Sequence, residues 1–303
     1  MFKVFVITLN KFKNILDMKN WLLLTTFFGL WLSTQLSSGL QDYLAYSFIL
    51  TFGVLHGAND IVLIRKQYQN LNTTGAIIPY ILVISSVTLL FFFSKALVLA
   101  VFIVISGYHF GEQHLKEMLT NSHWFHKFLF TFYGLTILFM IFYANIVEVQ
   151  QIIYDVTGYL FLSDYIKMGL YINLIGLSIS VALLKFKKVL RINLVKELFM
   201  FFVFYIVFNV ASLLWAFSIY FILWHSIPSL KDQMEVLYGS SKPSYLMDYV
   251  KTSWIYWAVS ILGLLILYLL LQNHLDYFIS VVLYVLAAVT FPHVIVMSKL
   301  EGK

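Results

Sequence analysis

The sequence contains no cysteine, which excludes disulfide bridges and every thiolate metal site. A metal bound here must be held by imidazole or oxygen donors, a set suited to iron, zinc or copper. Charge is also scarce. Only 11% of the 303 residues are Asp, Glu, Lys or Arg, against roughly 25% in a soluble domain. Neither an HExxH protease motif nor a CxxCH haem-attachment motif occurs. There is no convincing internal repeat and no stretch that reads as a soluble domain. The first twenty residues lack the uninterrupted apolar region and small-residue cleavage site of a signal peptide.

What is present is hydrocarbon: 61% of residues are hydrophobic and the mean hydropathy is +0.87. This composition predicts an all-α, polytopic membrane helix bundle in the cell (inner) membrane, with no nucleic-acid partner despite the net charge of +6. A crossing helix needs about 20 mainly apolar residues. By that measure there are about ten spans: Trp21–Ser37, Tyr43–Ile64, Ile77–Phe93, Lys95–Leu115, Trp124–Ile146, Tyr165–Leu184, Val195–Val210, Ser212–Val236, Thr252–Leu271 and Asp276–Met297. The expected organisation is an amphipathic interfacial helix over 1–20, one transmembrane domain over 21–297 and a short tail over 298–303. The connection Val147–Asp164 has room for a short amphipathic helix. With the N-terminus placed inside, eighteen of the twenty Lys and Arg fall on the cytoplasmic side, leaving only Lys95 and Lys167 outside. That asymmetry predicts cytoplasmic N- and C-termini.

The stretch Ser106-Gly107-Tyr108-His109-Phe110-Gly111-Glu112-Gln113-His114 places two histidines and a carboxylate where lipid-facing sequence holds none. Ionisable groups at membrane depth are expensive and default to a functional reading. Three other apolar segments carry a histidine: His56, His225 and His293. With His109, they fall on the second, fourth, eighth and tenth spans, which all run in one direction. Each lies 13 to 17 residues into its span, about 20–25 Å from the outer end. Four parallel helices can therefore present four imidazoles at one level, as bundle cores do when they build metal sites. The bland alternative for any one of them is a hydrogen bond to a neighbouring helix. His114 suits a supporting or interfacial role; His123, His126 and His274 read as interfacial.

Asp60 follows His56 at i+4 and Glu112 follows His109 at i+3, so each shares a helix face with its histidine. Both are candidates for orienting a ligating ring, and partners on other helices serve equally; pairing with Lys or Arg is the alternative. Gly57, Gly107 and Gly111 allow close approach. Pro228 and Pro292, beside His225 and His293, predict bends. Four neutral imidazoles suit non-haem Fe(II) with an open position for O2. A carboxylate-bridged di-iron site needs more glutamates than Glu112. A site within the hydrocarbon calls for a lipid-soluble substrate.

The blocks His56-Gly57-Ala58-Asn59-Asp60, Tyr108-His109-Phe110-Gly111-Glu112, Trp224-His225-Ser226 and Pro292-His293 together resemble the Brp/Blh family of membrane β-carotene 15,15′-dioxygenases, in order and over nearly the whole chain. The resemblance implies cleavage of the central double bond of β-carotene with O2 to two retinals, non-haem Fe(2+), and a functional link to a microbial rhodopsin. In the family the third block continues with a second histidine four residues on; here that place is Ser229. Matched depth nominates His293 as the fourth ligand, with His114 in reserve. On this reading His56, His109, His225 and His293 hold the iron, and Asp60 and Glu112 orient ligands. Tyr108 and Trp224 are candidates for the pocket wall, with plain packing as their alternative. The competing class is a transporter or proton pathway using buried His, Asp and Glu; a third reading is an iron oxygenase acting on another isoprenoid lipid.

Overall fold

A computed structural model describes residues 18–120, 124–272 and 275–300. Helices account for nearly all of it. They are α1 (Met18–Gln35), α2 (Ser38–Gln67), α3 (Thr73–Phe93), α4 (Lys95–Leu115), α5 (His126–Ala144), α6 (Ile146–Thr157), α7 (Ser163–Phe186), α8 (Leu194–Val210), α9 (Leu213–Tyr238), α10 (Leu246–Leu271) and α11 (Leu275–Leu300). All ten expected spans are helices, and α6 is the short helix foreseen in the connection after α5. Eight of the helices are long and apolar enough to cross a membrane. Of the ten expected spans, the two outside that set are α1 and α8. The 17 residues of α8 rise only about 26 Å, short of the roughly 30 Å hydrocarbon layer. Residues 1–17, His123 and His274 lie outside the described residues, so the expected N-terminal amphipathic helix does too; Met18–Asn20 already belong to α1.

Local chemistry sets the helix ends. Asn72 caps α3 by accepting from the Gly75 amide at 2.7 Å, and Asn193 caps α8 by accepting from the Lys196 amide at 3.2 Å. Each side-chain oxygen satisfies one of the amides that a helix start leaves without a partner. The break between α8 and α9 is only two residues long. Ser212 fills it, donating to Asp42 Oδ1 at 2.6 Å while its amide donates to Gln41 Oε1 at 2.9 Å. Gly239, at φ 72°, ends α9 in the left-handed conformation that glycine adopts without penalty.

Lipid tails are as apolar as leucine, so close packing rather than hydrophobic exclusion holds such a bundle together. The tightest crossing is α4 on α5. A Cβ added at Gly111 would lie 1.9 Å from the Phe130 carbonyl oxygen, and one at Gly134 would lie 1.9 Å from that of Gly107. The two backbones touch, and His109 is held between Gly107 and Gly111. By contrast, α10 has an apolar window with none of its residues buried; it faces outward.

The helices that carry the four histidines are α2, α4, α9 and α11, and their C-terminal ends lie together. Gln67 donates to the Lys299 carbonyl at 2.9 Å, joining α2 to α11. Lys116 pairs with Asp232 at 2.7 Å, joining α4 to α9. Leu63, Val296 and Met297 form a buried cluster against Leu237, which links the two pairs. These four helices therefore run parallel, as their place in the alternation of spans required.

Candidate metal centre

The helices bring the four rings together. Ring centroids are 5.3 Å apart for His56 and His225, 4.7 Å for His225 and His109, 5.2 Å for His109 and His293, and 4.9 Å for His293 and His56. The contacts close into a ring of four. All four side chains are buried. One ligand atom from each of His56, His225 and His293 falls within 4.8 Å of the other two, so three buried histidines are positioned to hold a metal ion, with His109 against two of them.

Helix irregularity aims two of these rings. Ile49–Gly53 of α2 is a π turn that ends three residues before His56, and Tyr220–Ser226 of α9 is a second π turn that contains His225. A π turn inserts extra backbone into one turn, rotates the residues after it about the helix axis and recurs at functional sites. The two turns pack against each other: a Cβ on Gly53 would lie 2.7 Å from the Phe221 ring. Nothing in the hydropathy pattern marks either turn. Pro228 stands at the start of the regular helix after the second one.

The hydrogen bonds fix which nitrogens remain available. His56 Nδ1 donates to the Gly53 carbonyl; a carbonyl only accepts, so Nε2 carries the lone pair. His293 Nδ1 lies 2.9 and 3.1 Å from the two oxygens of Asp60, and its Nε2 is buried without a hydrogen-bond partner. Among the described residues, His225 Nδ1 and both ring nitrogens of His109 are also buried without a partner. Burying a polar group unpaired costs on the order of 1–3 kcal/mol, and native proteins hold few such groups. Several unpaired imidazole nitrogens around one point are what a bound cation would satisfy, and a donor set of neutral imidazoles fits a divalent transition metal. Phe110 and Phe221 stand over the rings, 4.6 and 5.6 Å from His225, and give the site an apolar surround.

The carboxylates sit differently from what their spacing suggested. Asp60 turns away from His56 on its own helix and pairs with His293 on α11; its other oxygen accepts from Tyr80 at 2.8 Å. Glu112 accepts from the Tyr108 hydroxyl and makes no hydrogen bond to either His109 nitrogen. The ring contacts of His114 are with Tyr133 and Trp224, not with the four histidines, and its Nε2 pairs with Glu197 at 3.1 Å. Trp224 donates to Thr26 at 2.9 Å and packs on Phe204, while Tyr108 packs on Phe130. His126, expected at an interface, is buried beside Phe130. A Cβ on Gly57 would make only an ordinary 3.8 Å contact with His293, so no close approach demands glycine there.

Sequence reasoning missed Tyr80, Gln233 and Tyr249. Gln233 and Tyr249 are fully buried and bond to each other at 2.8 Å. Gln233 stands among Lys231, Asp232 and Glu235 and reads as part of a polar helix end; tyrosine is too common in this chain to stand out.

No curated protein and no solved structure matches the chain. A family model described as beta-carotene 15,15'-dioxygenase matches residues 47–301. That range takes in all four histidines, both π turns and Asp60. With so much of its length matched and the histidine ring inside the match, the chain belongs to the beta-carotene 15,15'-dioxygenase family.

Proposed function

We propose that this protein cleaves the central double bond of β-carotene with O2 to give two retinals, using one ferrous ion held by His56, His109, His225 and His293. The observation that carries this reading is the closed ring of four buried imidazoles with several nitrogens lacking a partner. The family supports the carotenoid and O2. A multi-pass position in the cell membrane, argued from the apolar helices, puts the site where a polyene dissolves.

Ferrous iron, when bound, supplies the one-electron chemistry that lets O2 react with a closed-shell alkene. The chain's own residues do the rest. His56 and His293 each commit Nδ1 to an acceptor, Gly53 and Asp60 respectively, so both are held as the tautomer that offers Nε2. Asp60 keeps the His293 ring from turning, and Tyr80 keeps Asp60 in place. Phe110 and Phe221 keep water from the rings, which protects a reactive centre and favours an apolar substrate. The carboxylate of Glu112 stays on Tyr108 and leaves the ring nitrogens of His109 to the metal.

The test is expression in a bacterium that accumulates β-carotene, with retinal extracted and iron measured in the purified chain. One iron per chain and retinal formation are expected. His56→Ala, His109→Ala, His225→Ala and His293→Ala should each abolish retinal while the protein still accumulates. Full activity in any one variant removes that residue from the site. A carefully handled wild type that forms no retinal and holds no iron overturns the reading in favour of transport.

A further inference from the structure

The helix that carries His56 is irregular on both sides of it. The π turn Ile49–Gly53 precedes it, and the helix breaks at Ala58–Asn59 before resuming at Asp60. Such irregularity loosens the backbone ladder, and at membrane depth no water replaces a lost donor. Side chains from two other helices reach in. Trp257 Nε1 of α10 donates to the Leu50 carbonyl in the π turn at 3.1 Å. Eight residues earlier on the same face, the Tyr249 hydroxyl donates to Gln233 Oε1 at 2.8 Å. Gln233 Nε2 of α9 in turn donates to the His56 carbonyl at 2.8 Å and touches Ser229 Oγ at 3.2 Å. Asn59 Nδ2, at the break itself, donates to the Tyr249 carbonyl at 3.3 Å. Asn59, Ser229, Gln233 and Tyr249 are all fully buried.

This placement is unusual for α10. No residue of its apolar window is buried, and its only buried residues are Tyr249 and Ser253. A helix whose sole task was to fill the periphery would need no polar contacts inward. Its buried polar contacts reach instead to the segment that carries His56. We infer that α10 is a splint for that segment, and that Tyr249 and Gln233 are positioning residues that fix His56 by holding its backbone carbonyl. The inference rests on the reading of the four histidines as a metal site. It adds that the ligand's main chain, and not only its ring, is held from outside its own helix.

The full-length protein is purified with iron, and iron affinity is measured by chelator competition for wild type, Tyr249→Phe, Gln233→Leu and Ser260→Ala, an exposed position on the same helix. Thermal unfolding of each metal-free chain is followed in parallel. Tyr249→Phe leaves Gln233 Oε1 buried without its donor, so the amide loses its orientation. Supporting contacts of this kind change metal affinity by roughly 10–100-fold. That loss is expected for Tyr249→Phe and Gln233→Leu, beside a lowered metal-free unfolding temperature, because each leaves a buried polar group without its partner; Ser260→Ala stays unchanged throughout. Unchanged iron affinity in both variants overturns the inference, and a lowered unfolding temperature with that unchanged affinity marks plain packing. A wild type without iron, or a His56→Ala variant that keeps it, overturns the metal-site reading itself and this inference with it.

Discussion

Asp60→Asn is the substitution that tests the centre most directly without touching a ligand. The Asp60 side chain is almost wholly buried and accepts from His293 Nδ1 at 2.9 Å and from Tyr80 at 2.8 Å. Asparagine keeps the shape and one acceptor oxygen. It replaces the second oxygen with an NH2 that faces a donor on one side or the other. Either the Tyr80 hydroxyl or the His293 Nδ1–H then loses its acceptor, and the imidazole loses the negative charge that raises its basicity as a ligand. Loss of such a carboxylate lowers metal affinity by roughly 10–100-fold, which is about 1.4–2.7 kcal/mol. The expected result in chelator competition is an iron dissociation constant raised by that factor. Retinal formation should fall at limiting iron and recover substantially when iron is in excess, because all four rings remain. An Asp60→Asn protein with wild-type affinity, beside a His293→Ala protein that has lost its iron, would refute the assignment of Asp60 as the group that holds the ring.

The packing sets two further outcomes. Gly111→Ala puts a methyl group against the Phe130 carbonyl, 1.9 Å away, and backbone cannot yield as a side-chain tip can. It should lose more than the roughly 1–3 kcal/mol of ordinary overpacking, seen as poor accumulation and a lowered unfolding temperature, whereas Gly39→Ala, which meets nothing within 4 Å, should behave as wild type. His114→Ala should keep its iron and part of its activity while losing on the order of 1–3 kcal/mol of stability, because Glu197 is left with Tyr133 as its remaining donor at 3.0 Å. Loss of iron in His114→Ala would instead make it a ligand.

The sequence by itself determined the architecture and the common depth of the histidines. Apolar runs of membrane length can satisfy their backbone in lipid only as helices. Alternation of those runs made α2, α4, α9 and α11 parallel, and similar residue counts from the span starts put His56, His109, His225 and His293 at one level. None of this needs knowledge of which helix neighbours which. Only the tertiary structure decided the partners. Asp60 stands at i+4 from His56 and yet serves His293, because the helix breaks at Ala58–Asn59 between them and turns the carboxylate toward α11. Glu112 stands at i+3 from His109 and bonds Tyr108, four residues earlier on the same helix, instead. The backbone contact of α4 with α5 at Gly107 and Gly111 fixes how α4 is rotated, and with that rotation His114 meets Glu197. Sequence spacing gives positions on a helix surface; the direction that surface faces is set by crossings and by π turns, whose hydrogen-bond pattern leaves no mark in the order of apolar and polar residues.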